Sequence, residues 1–150
     1  MDENLKVTYL KDEYLLLQGF YEDFDGRIMT IKGWSSSIAI AAIGVGFYQD
    51  RRLWLFAVAA SAVFWALESL WKSFQYKYAP RIKLIEKAFR EEDFSEMRPF
   101  QVYDSWFVDL RQSGFGLART FVMPIVFFPH LLTMITGLLL FLLIPESPTP

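Results

Sequence analysis

Leu53-WLFAVAASAVFWALESL-Trp71 carries a single charge, Glu68, in about 19 residues. A helix crossing a hydrocarbon core of about 30 Å needs that length and that apolarity. The run is apolar throughout instead of alternating, which favours a spanning helix over a barrel strand. Upstream, Trp34-SSSIAIAAIGVGF-Tyr48 is uncharged but short for a span. Ile28, Met29 and Ile31 supply the missing length, provided the Lys32 ammonium snorkels to the headgroups. Downstream, the stretch ending at Ile144 has His130 as its one titratable residue after Phe121. The sequence therefore predicts an all-α membrane protein with three spans, at 28–48, 53–71 and 120–144. Only Gln49-Asp50-Arg51-Arg52 separates the first two, which forces an antiparallel two-helix transmembrane hairpin. Pro124 and Pro129 leave open a re-entrant or flat third segment. The polar, acidic N-terminus is not the pattern of a signal peptide.

Lys and Arg set the orientation. Lys6, Lys11, Arg27 and Lys32 precede the first span. Lys72, Lys77, Arg81, Lys83, Lys87, Arg90, Arg98, Arg111 and Arg119 lie between the second and third. Three spans put both groups on one side, thirteen charges against Arg51 and Arg52 on the other. The expected location is the bacterial inner membrane, with a cytoplasmic N-terminus and a periplasmic C-terminal tail, 145–150.

The cytoplasmic parts read as helices. Residues 1–27 form an amphipathic segment in which Leu10, Tyr14, Leu17 and Tyr21 share a face. Leu15 and Leu16 widen it, and Gly26 breaks or kinks the helix before the membrane. Glu22, Asp23 and Asp25 disfavour anionic lipid and suit a protein surface better. Residues 72–119 form cytoplasmic and interfacial helices. Pro80 restarts the chain, and Ile82, Ile85 and Phe89 then line one face, which the N-terminal helix is placed to cover. Glu86 and Arg90 form an i,i+4 pair. Tyr103, Trp106, Phe107 and Leu110 make an aromatic stripe suited to the interface, and Gly114 and Gly116 release the chain into the third span. Trp34, Trp65, Trp71 and Trp106 are the expected interfacial anchors.

Few residues offer chemistry. Glu68, an ionisable group inside a span, is a functional candidate by type. It either pairs with Lys72 one turn on, or lines or gates a cation path in an oligomer, with Ser61 on the same helix as a further pore candidate. His130 either senses protons or bonds a backbone carbonyl freed by proline. Ser35, Ser36 and Ser37 precede an apolar run and either cap a helix, the preferred reading, or hydrate a pore mouth. Ser37 and Ala41, Ala42 and Gly46, Ala57 and Ser61, and Ala62 and Ala66 are small pairs four apart, which let helices approach within the hairpin or between copies. No cysteine is present, and one histidine without a carboxylate cluster gives no expected metal site or cofactor. No G-x-S-x-G, P-loop, G-x-G-x-x-G or H-E-x-x-H occurs, so no enzyme is expected. A membrane enzyme would need Glu68, His130 and Asp104 around one cavity, and their depths differ. A net charge of −2 gives no reason to expect direct nucleic-acid binding.

Tyr21-EDFDGRIMTIKGWS, the tight turn, Phe64-WALESLWKSFQ-Tyr76 and Arg81-IKLIE together resemble the SLATT group of small bacterial membrane proteins, over roughly residues 20–90. The shared features are a Lys-Gly-Trp entry to the first helix, a Trp with an acidic residue near the end of the second, and a charged helix beyond. The resemblance implies a pore-forming effector in antiphage defence, with Trp34, Trp65 and Glu68 at characteristic positions. The third apolar segment departs from that pattern, and no separate ligand-sensing domain fits in the chain. The expected partners are the lipid bilayer, further copies of the chain and a cytoplasmic protein. The expected function is an oligomeric pore- or channel-like effector; the alternative is a non-conducting anchor that recruits a soluble partner.

Overall fold

The computed structural model describes residues 2–106 and 116–145. Its elements are helices, with no strand among the described residues: α1 (Glu3–Gly46), α2 (Arg52–Tyr76), α3 (Ala79–Glu91), α4 (Gly116–Phe121) and α5 (Pro124–Leu143). Residues 102–106 are also helical. Three stretches are long and apolar enough to cross a membrane: Glu3–Gly46, Arg52–Glu91 and Pro124–Leu143. The chain divides into two units, Met1–Gly26 with Trp71–Leu117, and Arg27–Leu70 with Ala118–Pro150.

Several boundaries differ from the sequence reading. Gly26 does not break the chain into two helices, because α1 is one continuous helix of 44 residues. A glycine inside a helix costs roughly 1 kcal/mol, which the long flanking runs absorb. Ser35, Ser36 and Ser37 are consequently mid-helix and cap nothing. The third apolar helix starts at Pro124, not 120, because Met123 is extended and Pro124 occupies the first turn. From there it runs unbroken through Pro129 to Leu143, which at 1.5 Å per residue is about 30 Å. Phe107, Leu110, Arg111, Gly114 and the tail 146–150 lie outside the described residues.

In the first unit, Leu10 and Leu17 of α1 pack with Ile82 and Ile85 of α3, and Tyr14, Tyr21, Tyr78, Phe94, Met97 and Val102 surround them. Pro80 sits in the first turn of α3, and Glu92, in the left-handed conformation, closes the helix with its N–H on the Ala88 carbonyl. Glu86 takes the Tyr14 hydroxyl at 3.1 Å; the i,i+4 ion pair on α3 is Lys87 with Glu91, at 3.8 Å. Beneath this core lies a buried latch. The Arg81 guanidinium grips Glu13 through Nε at 2.8 Å and Nη2 at 3.1 Å, and Nη2 also reaches the Arg98 carbonyl at 2.7 Å. The Phe100 N–H donates to the same carboxylate at 2.9 Å, and Phe100 holds φ at 65°. The latch thus fixes segment 98–100 against α1 and α3 through a charge pair that apolar packing alone would not place. Lys6 adds a tie to the Phe94 carbonyl. Asp93 accepts the Ser95 N–H at 2.9 Å, and its bonds to Ser95 hold the carboxyl below the usual aspartate range. Partial burial, with Tyr76 and Asp25 nearby, raises the Tyr21 hydroxyl above its ordinary value.

The second unit is built on small residues. Ala39 and Ala42 of α1 meet Ala57 of α2, with Ile43 alongside. The Trp54 indole N–H donates to the Ile43 carbonyl at 3.0 Å, satisfying an acceptor in the last turn of α1 that has no helical donor. A side chain at Gly46 would collide with that indole, and one at Gly137 would come within 2.9 Å of the Trp54 carbonyl and of Val58. Close approach of α5 to α2 therefore requires glycine at 137. Arg51 lies 4.2 Å above the Phe141 ring.

Candidate functional site

Most buried positions of the second unit's long helices form one stripe on each. On α1 they are Ile28, Ile31, Ser35, Ala39, Ala42 and Gly46; on α2, Trp54, Ala57, Ser61 and Glu68, with Ser69 buried beside the stripe; on α5, Val126, His130 and Gly137. The recurring steps of three, four and seven are the helical repeat. They bring the polar members of the three stripes to one place.

There, Glu68 is fully buried and His130 is 1% exposed. His130 Nε2 lies 3.0 Å from Glu68 Oε2, and His130 Nδ1 lies 3.2 Å from Ser35 Oγ. Lys32 Nζ stands 3.2 Å from Glu68 Oε1. That contact is an ion pair without hydrogen-bond alignment, since Oε1 has no hydrogen-bond partner. The Lys32 hydrogen bond goes instead to the Ile125 carbonyl, at 2.9 Å. Pro129 explains this choice. Lacking an N–H, it cannot serve the carbonyl four residues back, which is Ile125. The proline thus opens an acceptor on α5 that an ammonium from α1 fills, while the following residue presents its imidazole to α2.

The wall of the site is tied by three further bonds. Trp65 Nε1 donates to the Phe121 carbonyl at 3.1 Å, Thr120 Oγ1 to the Ser69 carbonyl at 2.9 Å, and Thr133 Oγ1 to the Pro129 carbonyl at 3.1 Å. The first two seat α4 on α2, next to the Glu68 turn. Ser61, two turns from Glu68 on the same stripe, is buried and its hydroxyl has no partner.

The sequence-derived pairings are corrected here. Glu68 does not pair with Lys72, whose ammonium lies 3.0 Å from Asp25. His130 does not take the carbonyl that proline frees; Lys32 does. Nor are Glu68 and His130 at separate depths, since their side chains touch. Asp104 belongs to the first unit. Among the small residues, Ala42, Gly46, Ala57 and Ser61 are buried, Ala62 is half-buried, and Ser37, Ala41 and Ala66 are exposed. Trp34 is 61% exposed. Trp65, Trp71 and Trp106 are half-buried: Trp71 packs on Phe24 and Phe74, and Trp106 on Phe74 with Lys77 Nζ 4.8 Å above its ring.

Lys32 and Ser35 are the members of the site that sequence reasoning missed as partners. The signal was present: Ser35 shares a helical face with Ala39, Ala42 and Gly46, and Glu68 shares one with Ser61, Ala57 and Trp54. Among the described residues, no group of three or more His, Cys, Asp or Glu is placed to hold a metal ion. No protein-family model matches the chain, and no curated protein or solved structure matches it significantly.

Proposed function

We propose that the chain is a multi-pass protein of the bacterial inner membrane that works as an oligomeric, channel-like effector. The observation that carries this reading is the buried Glu68–His130 pair with the half-buried Lys32 beside it, contributed by three helices that are each candidate spans. Charged groups at bilayer depth are expensive and are found where they serve transport or gating. The Glu68 carboxylate is enclosed within one chain. In this reading it governs the packing of its own three helices and so gates a path instead of forming a ring around an axis. The exposed Ser37 and Ala41, with Gly33 and Gly44 open beside them, supply a small-residue face for packing between copies. In this reading the first unit is a cytoplasmic helical layer, supported by the Lys and Arg asymmetry, and the first two spans are a hairpin, supported by the four-residue link between them. The resemblance to SLATT proteins supports an antiphage role and an engagement signal received by that layer.

Flux of a trapped dye or of ions from proteoliposomes tests the reading. Glu68→Ala changes the flux of a conducting wild-type protein. Vesicles that stay tight with wild-type protein under every trigger and at every protein density sink it. One observation favours a second reading, a non-conducting anchor: Leu15, Leu16 and Phe20 of α1 are exposed in the first unit, an apolar face suited to a soluble partner. Co-purification separates the two, since a stoichiometric heteromer supports the anchor and a homo-oligomer with an axial path supports the channel.

A further inference from the structure

We propose that Ser35, His130, Glu68 and Lys32 form a binding site for one proton, with the His130 ring as the group that receives it. The proposal takes Glu68 as the carboxylate that the Lys32 ammonium faces; a carboxylate only accepts, so the ring nitrogen 3.0 Å from Glu68 Oε2 carries a hydrogen. That nitrogen is Nε2, which leaves Nδ1 of the neutral ring as an acceptor for the Ser35 hydroxyl at 3.2 Å. Lys32 divides its ammonium between Glu68 and the Ile125 carbonyl. The Lys32 and Glu68 charges then cancel.

One further proton has one open position, Nδ1. Its arrival forms an N–H bond there and breaks no covalent bond. The new N–H donates to Ser35 Oγ, and the serine hydrogen turns to the helical carbonyl one turn back, the bond such residues make inside helices. The array then carries one positive charge. The charged groups facing the ring are Lys32 from α1, which opposes the imidazolium, and Glu68 from α2, which stabilises it; α5 contributes no charged side chain. Thr120 of α4 spends its hydroxyl on the Ser69 carbonyl. Lys32 is 18% exposed while Glu68 is fully enclosed, so the array meets the surface along the lysine side chain. The site's consequence rests on the channel reading: an uncompensated charge among the three helices weakens the hold on α5 and favours opening. Proton binding itself needs no conduction.

His130 is the one histidine of the chain, so labelling with 15N-histidine gives signals from a single ring. The full-length protein in vesicles of phosphatidylethanolamine and phosphatidylglycerol is titrated by solid-state NMR from about pH 9 to pH 5, the range in which histidine changes charge. The expected spectrum shows hydrogen on Nε2 alone at the alkaline end and on both nitrogens at the acid end. Removing the neighbouring negative charge by Glu68→Gln lowers the ring's proton affinity about tenfold or more, and removing the positive one by Lys32→Met raises it by a similar factor. The two variants move in opposite directions, so a folding defect in one leaves the other decisive. A ring protonated on Nδ1 alone, a ring that never gains the second hydrogen, or variants that titrate like the wild type overturn the proposal. Dye flux from the same vesicles keeps the two ideas apart. A responsive ring in vesicles that never leak sinks the channel and keeps the site; leaking vesicles with an unresponsive ring do the reverse.

Discussion

Removing one partner of the Lys32–Glu68 pair strands the other charge inside the second unit. Glu68→Gln leaves the Lys32 ammonium with the Ile125 carbonyl and no charge partner, while the new amide oxygen still accepts from His130 Nε2. Breaking a buried ion pair on one side costs about 3–5 kcal/mol. The residual exposure of Lys32 lets its ammonium relax outward, which places Glu68→Gln near ~3 kcal/mol, with Lys32→Met of similar size. Replacing both charged groups removes the stranded charge as well as the attraction. The double variant Lys32→Met, Glu68→Gln is therefore expected within about 1–2 kcal/mol of wild type, because paired replacements of buried ions are often near neutral. With each single loss near ~3 kcal/mol and the double variant at about 1–2 kcal/mol, the cycle gives a coupling of about 4–5 kcal/mol, well outside the roughly 0.5 kcal/mol within which independent sites add. Denaturant unfolding in bicelles, followed through tryptophan fluorescence, measures all four proteins. Additive losses, with the double variant as unstable as the two single losses summed, would refute the assignment of Lys32 and Glu68 as mutual partners.

Gly137→Ala forces a methyl group against the Trp54 carbonyl and Val58, and overpacking of this kind costs about 1–3 kcal/mol. Gly26→Ala, with nothing within 4 Å of the new atom, is the control and leaves the unfolding midpoint unchanged or higher. In the first unit, Glu13→Ala abandons the Arg81 guanidinium and the Phe100 N–H together, at about 3–5 kcal/mol. Hydrogen exchange reads that loss as early deprotection of residues 98–100; unchanged protection there would count against the latch. Asp93 has a lowered carboxyl pKa in the folded chain, so its contribution is complete above the unfolded aspartate value near 3.9 and is lost as pH falls through the lower folded value. Asp93→Asn removes this acid dependence from the Ser95 amide exchange rate.

The chain's class was legible before any coordinates, because hydrocarbon imposes its demand on composition and length alone. The runs ending at Tyr48, Trp71 and Ile144 are apolar enough to cross a bilayer wherever they pack. Ile82 and Ile85, spaced for one helical face, are both in the core that Leu10 and Leu17 share. Pairing was not legible, because a partner's identity is a property of rotation and register between helices. Glu68 has Lys72 one turn away in sequence, and local spacing favours that neighbour. The rotation of α2 instead turns Glu68 inward, onto an ammonium that composition assigns to the headgroups. Pro129 signalled a freed carbonyl without saying which donor would reach it, and only the approach of α1 to α5 selected Lys32. Gly26 went the other way: its local preference for a break yields to helix on both sides. One-dimensional patterns decide which residues avoid water, and three-dimensional packing decides which charges then find each other.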